Sequence, residues 1–206
     1  MDVMVLAVLI ATGVYMLNAK EQRKRIALLA QYLQPYQIER LMETLTDGYL
    51  RALGESDPAR RDQVWATLRG TEQQLSEQFS RFAADFALVD AGHARVSRLS
   101  LPLPLADKVF PAATFDMRQA LAIHAQGIAN VARQVAEHPT RENAFTLSAE
   151  LFLMQHTCHW FCKSRAIATA RMLARHKTPH EQLIASVSPK TRQAYLALIQ
   201  GRSTPR

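Results

Sequence analysis

From Val3 to Leu17 the chain carries no charge, and only Thr12 and Gly13 interrupt its apolar character. Lys20, Arg23, Lys24 and Arg25 follow at once. A helix over this run places Val3, Val5, Leu6, Val8, Leu9, Ile10, Val14 and Leu17 all round its circumference, so it has no polar face to turn to water. It needs a bilayer or a deep protein core. A hydrocarbon core of about 30 Å asks for roughly 20 residues of helix. Residues 1–19 reach that length if Asp2 and Asn18 sit among the headgroups, and the basic side chains beyond them snorkel to the surface.

Two other readings compete. A cleaved signal peptide wants a positive n-region and small residues before the cut. This chain starts with Asp2, lacks A-x-A spacing between Val14 and Lys20, and has its charges on the other side. A buried N-terminal helix of a soluble fold leaves the basic cluster without a purpose. The retained anchor is the favoured expectation. The cationic side faces inward by the positive-inside rule, which puts the N-terminus outside and the body in the cytoplasm, at the inner (cytoplasmic) membrane.

The remaining residues suffice for one domain with its own core. With 48% hydrophobic and 21% charged residues the chain is not of disordered composition. Ala, Leu, Gln and Arg are plentiful and Gly is scarce, which favours helix. The predicted fold class is all-α: an anchor at 1–19, a helical stalk at 20–34 continuous with it, and a cytoplasmic bundle of about five to six helices at 35–206. No repeat of about 20–50 residues is visible.

Punctuation divides the bundle. Pro35 ends the stalk, whose Ile26, Leu29 and Leu33 share one side. Ile38, Leu41, Met42, Leu45, Tyr49 and Leu53 step as an amphipathic helix closed by Gly54. Ser56-Asp57-Pro58 starts a helix with Trp65, Leu68, Leu75, Phe79, Phe82 and Phe86 on one stripe. Residues 91–113, with Leu101-Pro-Leu-Pro-Leu105 and Val109-Phe110-Pro111, read as an irregular crossover with a turn of helix near Asp107, its apolar side chains packed on the bundle. Thr114 is predicted to start a helix whose seam is Met117, Leu121, His124, Ile128, Val131 and Val135, ended by His138-Pro139. Thr140 caps the longest predicted helix, Arg141 to His176, apolar all round over its first two thirds and so central. Thr178-Pro-His-Glu181 reads as a capping box before a short helix to about Val187, and Ser188-Pro189 opens a last one closed by Gly201, with a frayed end beyond.

Chemistry is sparse. His156, Cys158, His159 and Cys162 are four potential metal ligands on one helix, and His124 lies on the seam of the helix before. One helix cannot wrap a tetrahedral ion, and no C-x-x-C pair, C-x-x-C-H haem attachment or E-x-x-H signature occurs. The expectation is that these are core residues, with a metal or haem pocket at His124, His156 and His159 as the alternative. Cysteines four apart on a helix do not favour a disulfide, and reduced thiols suit a cytoplasmic body. Glu150, alone in an apolar run, is expected to pair with Arg or His. No Gly-rich phosphate loop occurs, so no cofactor and no catalytic residue is expected.

Charge is segregated. Residues 163–206 carry nine Lys and Arg against the single acid Glu181, while the first 162 residues are nearly neutral. Arg171, Arg175, Lys177, Lys190 and Arg192 are the expected contact surface, for an acidic protein or anionic lipid headgroups. Nucleic acid is the least favoured partner, since Tyr195 is the one aromatic ring available for stacking there. The functional expectation is a membrane-anchored adaptor or assembly factor that binds other proteins and is not an enzyme.

Overall fold

The structure, a computed structural model, describes residues 3–100, 103–137 and 140–201. Nine α-helices and one two-stranded sheet occur among them. Helix α1, Val3–Leu33, runs without a break through the segments expected as anchor and stalk. It is long and apolar enough to span a membrane, and none of its apolar window is buried against the body. The change of role comes at its basic cluster. Lys20, Arg23 and Lys24 stay exposed, while Arg25 turns inward, donates to Glu21 at 2.8 Å and lies over the Phe161 ring at 5.8 Å. Beyond it Leu29 is buried, and Leu28, Tyr32 and Leu33 pack on the core.

Helices α2, Ile38–Gly54, and α3, Pro58–Phe86, form an antiparallel pair. Every large apolar residue of the predicted α3 stripe is buried, and Asp57 caps the helix by accepting from Ala59 N. The pairing runs from Tyr49 against Trp65 at 5.6 Å to Tyr36 against Phe82 at 6.2 Å, and then Tyr32 against Phe86 at 5.5 Å. So α3 climbs back along α1 towards the anchor. The α2–α3 turn is the end farthest from it, since the 29 residues of α3 span about 43 Å. Glu72, which sequence pattern did not single out, is buried here and accepts from the Tyr49 hydroxyl at 2.6 Å.

The crossover differs from expectation in two ways. It contains strands β1, Arg95–Ser97, and β2, Thr114–Asp116, paired antiparallel with Val96 opposite Phe115. Thr114 is therefore in a strand, and helix α5, Met117–Glu137, starts later, with Asp116 accepting from Arg118 N. Val96 and Phe115 are buried, the latter edge-on to Trp160, whose Nε1 donates to Ser97 O at 2.9 Å. The short helix α4, Ala106–Val109, sits at the predicted place, but the apolar residues around it do not pack: Leu103, Leu105, Val109 and Phe110 are 46–62% exposed. Leu101 and Pro102 lie outside the described residues, as do Met1, Asp2, His138-Pro139 and residues 202–206.

The predicted Arg141–His176 helix is two helices, α6, Arg141–Cys162, and α7, Arg165–His176. Lys163 leaves the helical region at φ −130 and Ser164 is extended, its hydroxyl accepting from Ile167 N to cap α7. Serine offers the backbone this alternative without any Gly or Pro to announce it. With α4, this split gives the body eight α-helices among the described residues, more than expected. Thr140 does cap α6, accepting from Asn143 N. The Thr178 capping box does not form; the Thr178 hydroxyl donates to His176 O and α8, His180–Ser186, has no side-chain cap. Helix α9, Pro189–Gln200, opens on Ser188 and closes on Gly201 at φ 71, as its sequence requires.

Helix α6 is central, touching α1, α2, α5, α7 and α8. Leu151 is 1% exposed within it, whereas Phe152 is half-buried on His176. Leu151→Ala should therefore cost about 2–5 kcal/mol in denaturant unfolding of the full chain in detergent. Phe152→Ala should cost clearly less, and equal losses would contradict this packing.

Candidate functional site

A layer of buried imidazoles runs through the bundle. His124 of α5, His156 of α6 and His180 of α8 are at most 1% exposed. The Thr157 hydroxyl donates to Leu153 O at 2.9 Å and lies 2.9 Å from His124 Nε2 and 3.2 Å from the Tyr195 hydroxyl. The His156 ring stacks on His180 with centroids 3.9 Å apart and planes 15° from parallel, and its Nε2 lies 3.1 Å from Thr169 Oγ1 of α7. Trp160 and Tyr195 close the layer edge-on, and the Arg165 guanidinium lies over Trp160 at 5.4 Å.

Burial penalises the charged form of each ring. It pushes His124 down to about 3, His156 to about 2 with His180 and Arg165 adding to it, and His180 to about 4. All three are neutral at physiological pH. Imidazole lone pairs lie in the ring plane, so two stacked rings cannot aim at one ion. Among the described residues no three of His, Cys, Asp or Glu group to hold a metal ion. The proposed alternative set is not assembled: His124 engages Thr157, His156 engages Thr169, and His159 faces a different cavity.

That cavity is an apolar cleft of about 300 Å³ between stalk and body. Ile26, Leu29 and Leu33 of α1 form one wall, Met42 and Phe79 the floor, and Met154, Cys158 and Cys162 of α6 the other wall. Glu39, His159, Lys163 and Arg171 stand in its lining as the polar members. The two cysteines are free thiols. Burial raises both above the ordinary thiol value, Cys162 to about 11 although Lys163 and Arg171 pull it down. Protonated thiols in an apolar wall are poor nucleophiles. His159 is held low by burial and then by Arg171 and Arg175.

Glu150 departs from expectation. Among the described residues it meets no Arg or His; its Oε1 accepts from Ser188 N at 3.0 Å and from the Ser188 hydroxyl at 2.7 Å, at the start of α9. Burial nevertheless raises its carboxyl above the usual range, with Ser188 and Thr191 pulling the other way. Gly127 of α5 makes this possible, because a Cβ there would collide with Thr191 Oγ1 and the Glu150 carboxylate.

The five basic residues singled out in the sequence are all exposed but do not share one groove. Arg171 lines the apolar cleft, with Arg175 one turn further along α7. Lys177 caps α7 in the left-handed region at φ 55. Lys190 lines a second groove with Asn130, Arg133 and Glu137 of α5, and Arg192 reaches Ala185 O. What pattern reading missed is His180, taken only as a first-turn residue of α8, and the methionines of the cleft; a helical wheel gives no sign that two faces stop short of contact.

Fold and site together define an all-α protein with an N-terminal helix long and apolar enough to cross a membrane, and an apolar cleft where that helix meets the body. No protein-family model, curated protein or solved structure matches the chain.

The histidine layer sets an acid limit on stability. Below about pH 6.5 the unfolded chain takes up protons on His124, His156 and His180, while the native chain does not until pH nears about 4 and lower. The unfolded state then binds more protons, so stability falls with falling pH, by up to about 4 kcal/mol per pH unit for three sites. Glu72 and Glu150, raised in the native state, act the opposite way above about pH 4.5. Denaturant midpoints should drop steeply from pH 6.5 to 5, and less steeply in His180→Gln. A flat profile would show that these rings protonate freely in the native state.

Proposed function

We propose that the protein is a single-pass membrane adaptor or assembly factor. Its N-terminal helix crosses the inner membrane with the N-terminus outside, and its cytoplasmic body recruits an acidic amphipathic helix of a membrane-protein partner. The observation that carries this reading is the cleft between α1 and α6. Met42 and Met154 give it an adaptable apolar lining of the kind that accepts anchors from a partner helix, and Lys163 and Arg171 complement acidic residues flanking those anchors. Its α1 wall, Ile26 to Leu33, lies about 10–20 Å beyond the end of the anchor at residue 19. A partner seated there is itself close to the membrane.

A binding role also fits the chemistry. The buried imidazoles are neutral and enclosed, and the thiols are protonated, so neither group is poised for proton transfer or attack. The basic residues act in this reading as electrostatic guides, worth more to the rate of association than to its final strength.

The topology is tested first. A reporter fused after Arg206 should be active only in the cytoplasm, and the chain should stay in the membrane pellet through an alkaline wash. Release by the wash removes the anchor. The cleft is tested by a photo-crosslinking residue at Met42 of the full-length chain in its native membranes, with the adduct sequenced by mass spectrometry. The expected adduct is an acidic amphipathic helix, and its yield should fall several-fold with Arg171→Glu and Arg175→Glu. A lipid adduct, or a protein adduct indifferent to those charges, would overturn the proposed occupant.

A further inference from the structure

Four large apolar side chains of the crossover, Leu103, Leu105, Val109 and Phe110, are 46–62% exposed on a body that otherwise buries most of its large hydrophobic residues. Their position along α1 is fixed. Leu105 N donates to Glu21 Oε2 at 3.2 Å, and Leu103 and Ala106 line one small cavity with Asn18, Glu21 and Gln22. The crossover is therefore held level with the first turn of α1 beyond its apolar run. Ala106 is 4% exposed against the body, whereas Leu105 and Val109 are 46% and 62% exposed. Helix α4 is four residues long, so Val109 and Phe110 lie within about 8 Å of that level.

We propose that the 103–110 segment is a second membrane contact, an interfacial foot that inserts its apolar side chains at the boundary of headgroups and acyl chains beside the anchor. The inference rests on the reading of α1 as a membrane span. If α1 ends its span near residue 19, Leu103 to Phe110 stand in the headgroup layer, where apolar side chains gain by reaching some 5–10 Å inward. The surrounding charge suits an anionic lipid surface. Lys24, Arg25, Arg95 and Lys108 line one groove of about 650 Å³ under the segment, with Leu28 and Leu105 as apolar lining, against Glu21 and Asp107. Glu21 is engaged by Arg25 and by Leu105 N. A lipid phosphate above this groove meets cations, and its acyl chains meet Leu105 and Val109. The hydrogen bond from Leu105 to Glu21 couples the foot to the anchor, so that lipid seen by one is at the right depth for the other.

The test uses the full-length chain in vesicles of zwitterionic and anionic phospholipid whose acyl chains carry bromine. Val109→Trp and Phe110→Trp are read against Leu50→Trp, which is 67% exposed in α2 towards the far end of the bundle, and against the parent, whose Trp65 and Trp160 are buried. Emission of the two crossover variants should be blue-shifted and quenched about twofold or more beyond Leu50→Trp, the depth of insertion being within reach of acyl bromine. A vesicle-bound chain in which all three variants are quenched alike, or none is, overturns the foot while leaving the anchor intact. A parent chain that washes off the vesicles at alkaline pH overturns the anchor, and the foot with it.

Discussion

A helix buried over most of its circumference dictates the arrangement around it. Helix α6 buries Leu147, Leu151, Met154, Trp160 and Phe161 among others, and beyond the exposed Phe145 even its least covered stripe, Ser148, Phe152, Gln155 and His159, is half-buried. Such a helix is stable only inside a ring of neighbours. Helices α5, α7 and α8 supply part of that ring, and α1 and α2 the rest. The need to complete the ring explains why the stalk lies against the body: Leu29 joins the buried core, and Arg25 lies over the Phe161 ring. The apolar cleft is a stretch where the stalk does not quite close on α6, so site and scaffold have a common origin.

The elements legible in the sequence were those written in period and punctuation. The stripes of α2, α3 and α5 and the span of α1 follow from spacing, and Asp57, Thr140, Ser188 and Gly201 mark ends where the structure puts them. What escaped was written in tertiary contact. Ser164 breaks a run that is helical by every local measure, because α7 must turn back over α6, with Ala166 N donating to Ser100 O across the crossover. Strands of three residues carry no periodic signal; β1 and β2 exist because Trp160 needs an acceptor at Ser97 and a ring at Phe115. The Thr178 box lost to a competing bond within its own turn.

The site was half legible. Histidines on the α5 seam and within α6 were visibly interior, but the partner that stacks on His156 comes from α8, about 24 residues on, and no spacing rule joins them. Glu150 shows the same limit. A lone carboxylate in an apolar run must find donors, and the sequence suggests a cation; the structure instead supplies the free N–H of Ser188 at a helix start, where the helix dipole favours negative charge and no second desolvated ion is needed. The position of Gly127 acquires its meaning only once α9 is seen to cross α5 there.

Helix α1 also has a mechanical consequence. Between Asn18 and Leu33 it contains neither Gly nor Pro, and from Arg25 onward it is fastened to α6 by hydrogen bond, ring contact and buried leucine. If α1 spans a bilayer as proposed, the body is a rigid extension of that span, not a load on a tether. A helix tilts to match the thickness of its membrane, and with a lever of roughly 60 Å from anchor to α2–α3 turn a tilt change of about 10° moves that far end by about 10 Å. Bilayer thickness would in this way be transmitted, through one unbroken helix, into how far the distal end of the body reaches sideways over the membrane surface.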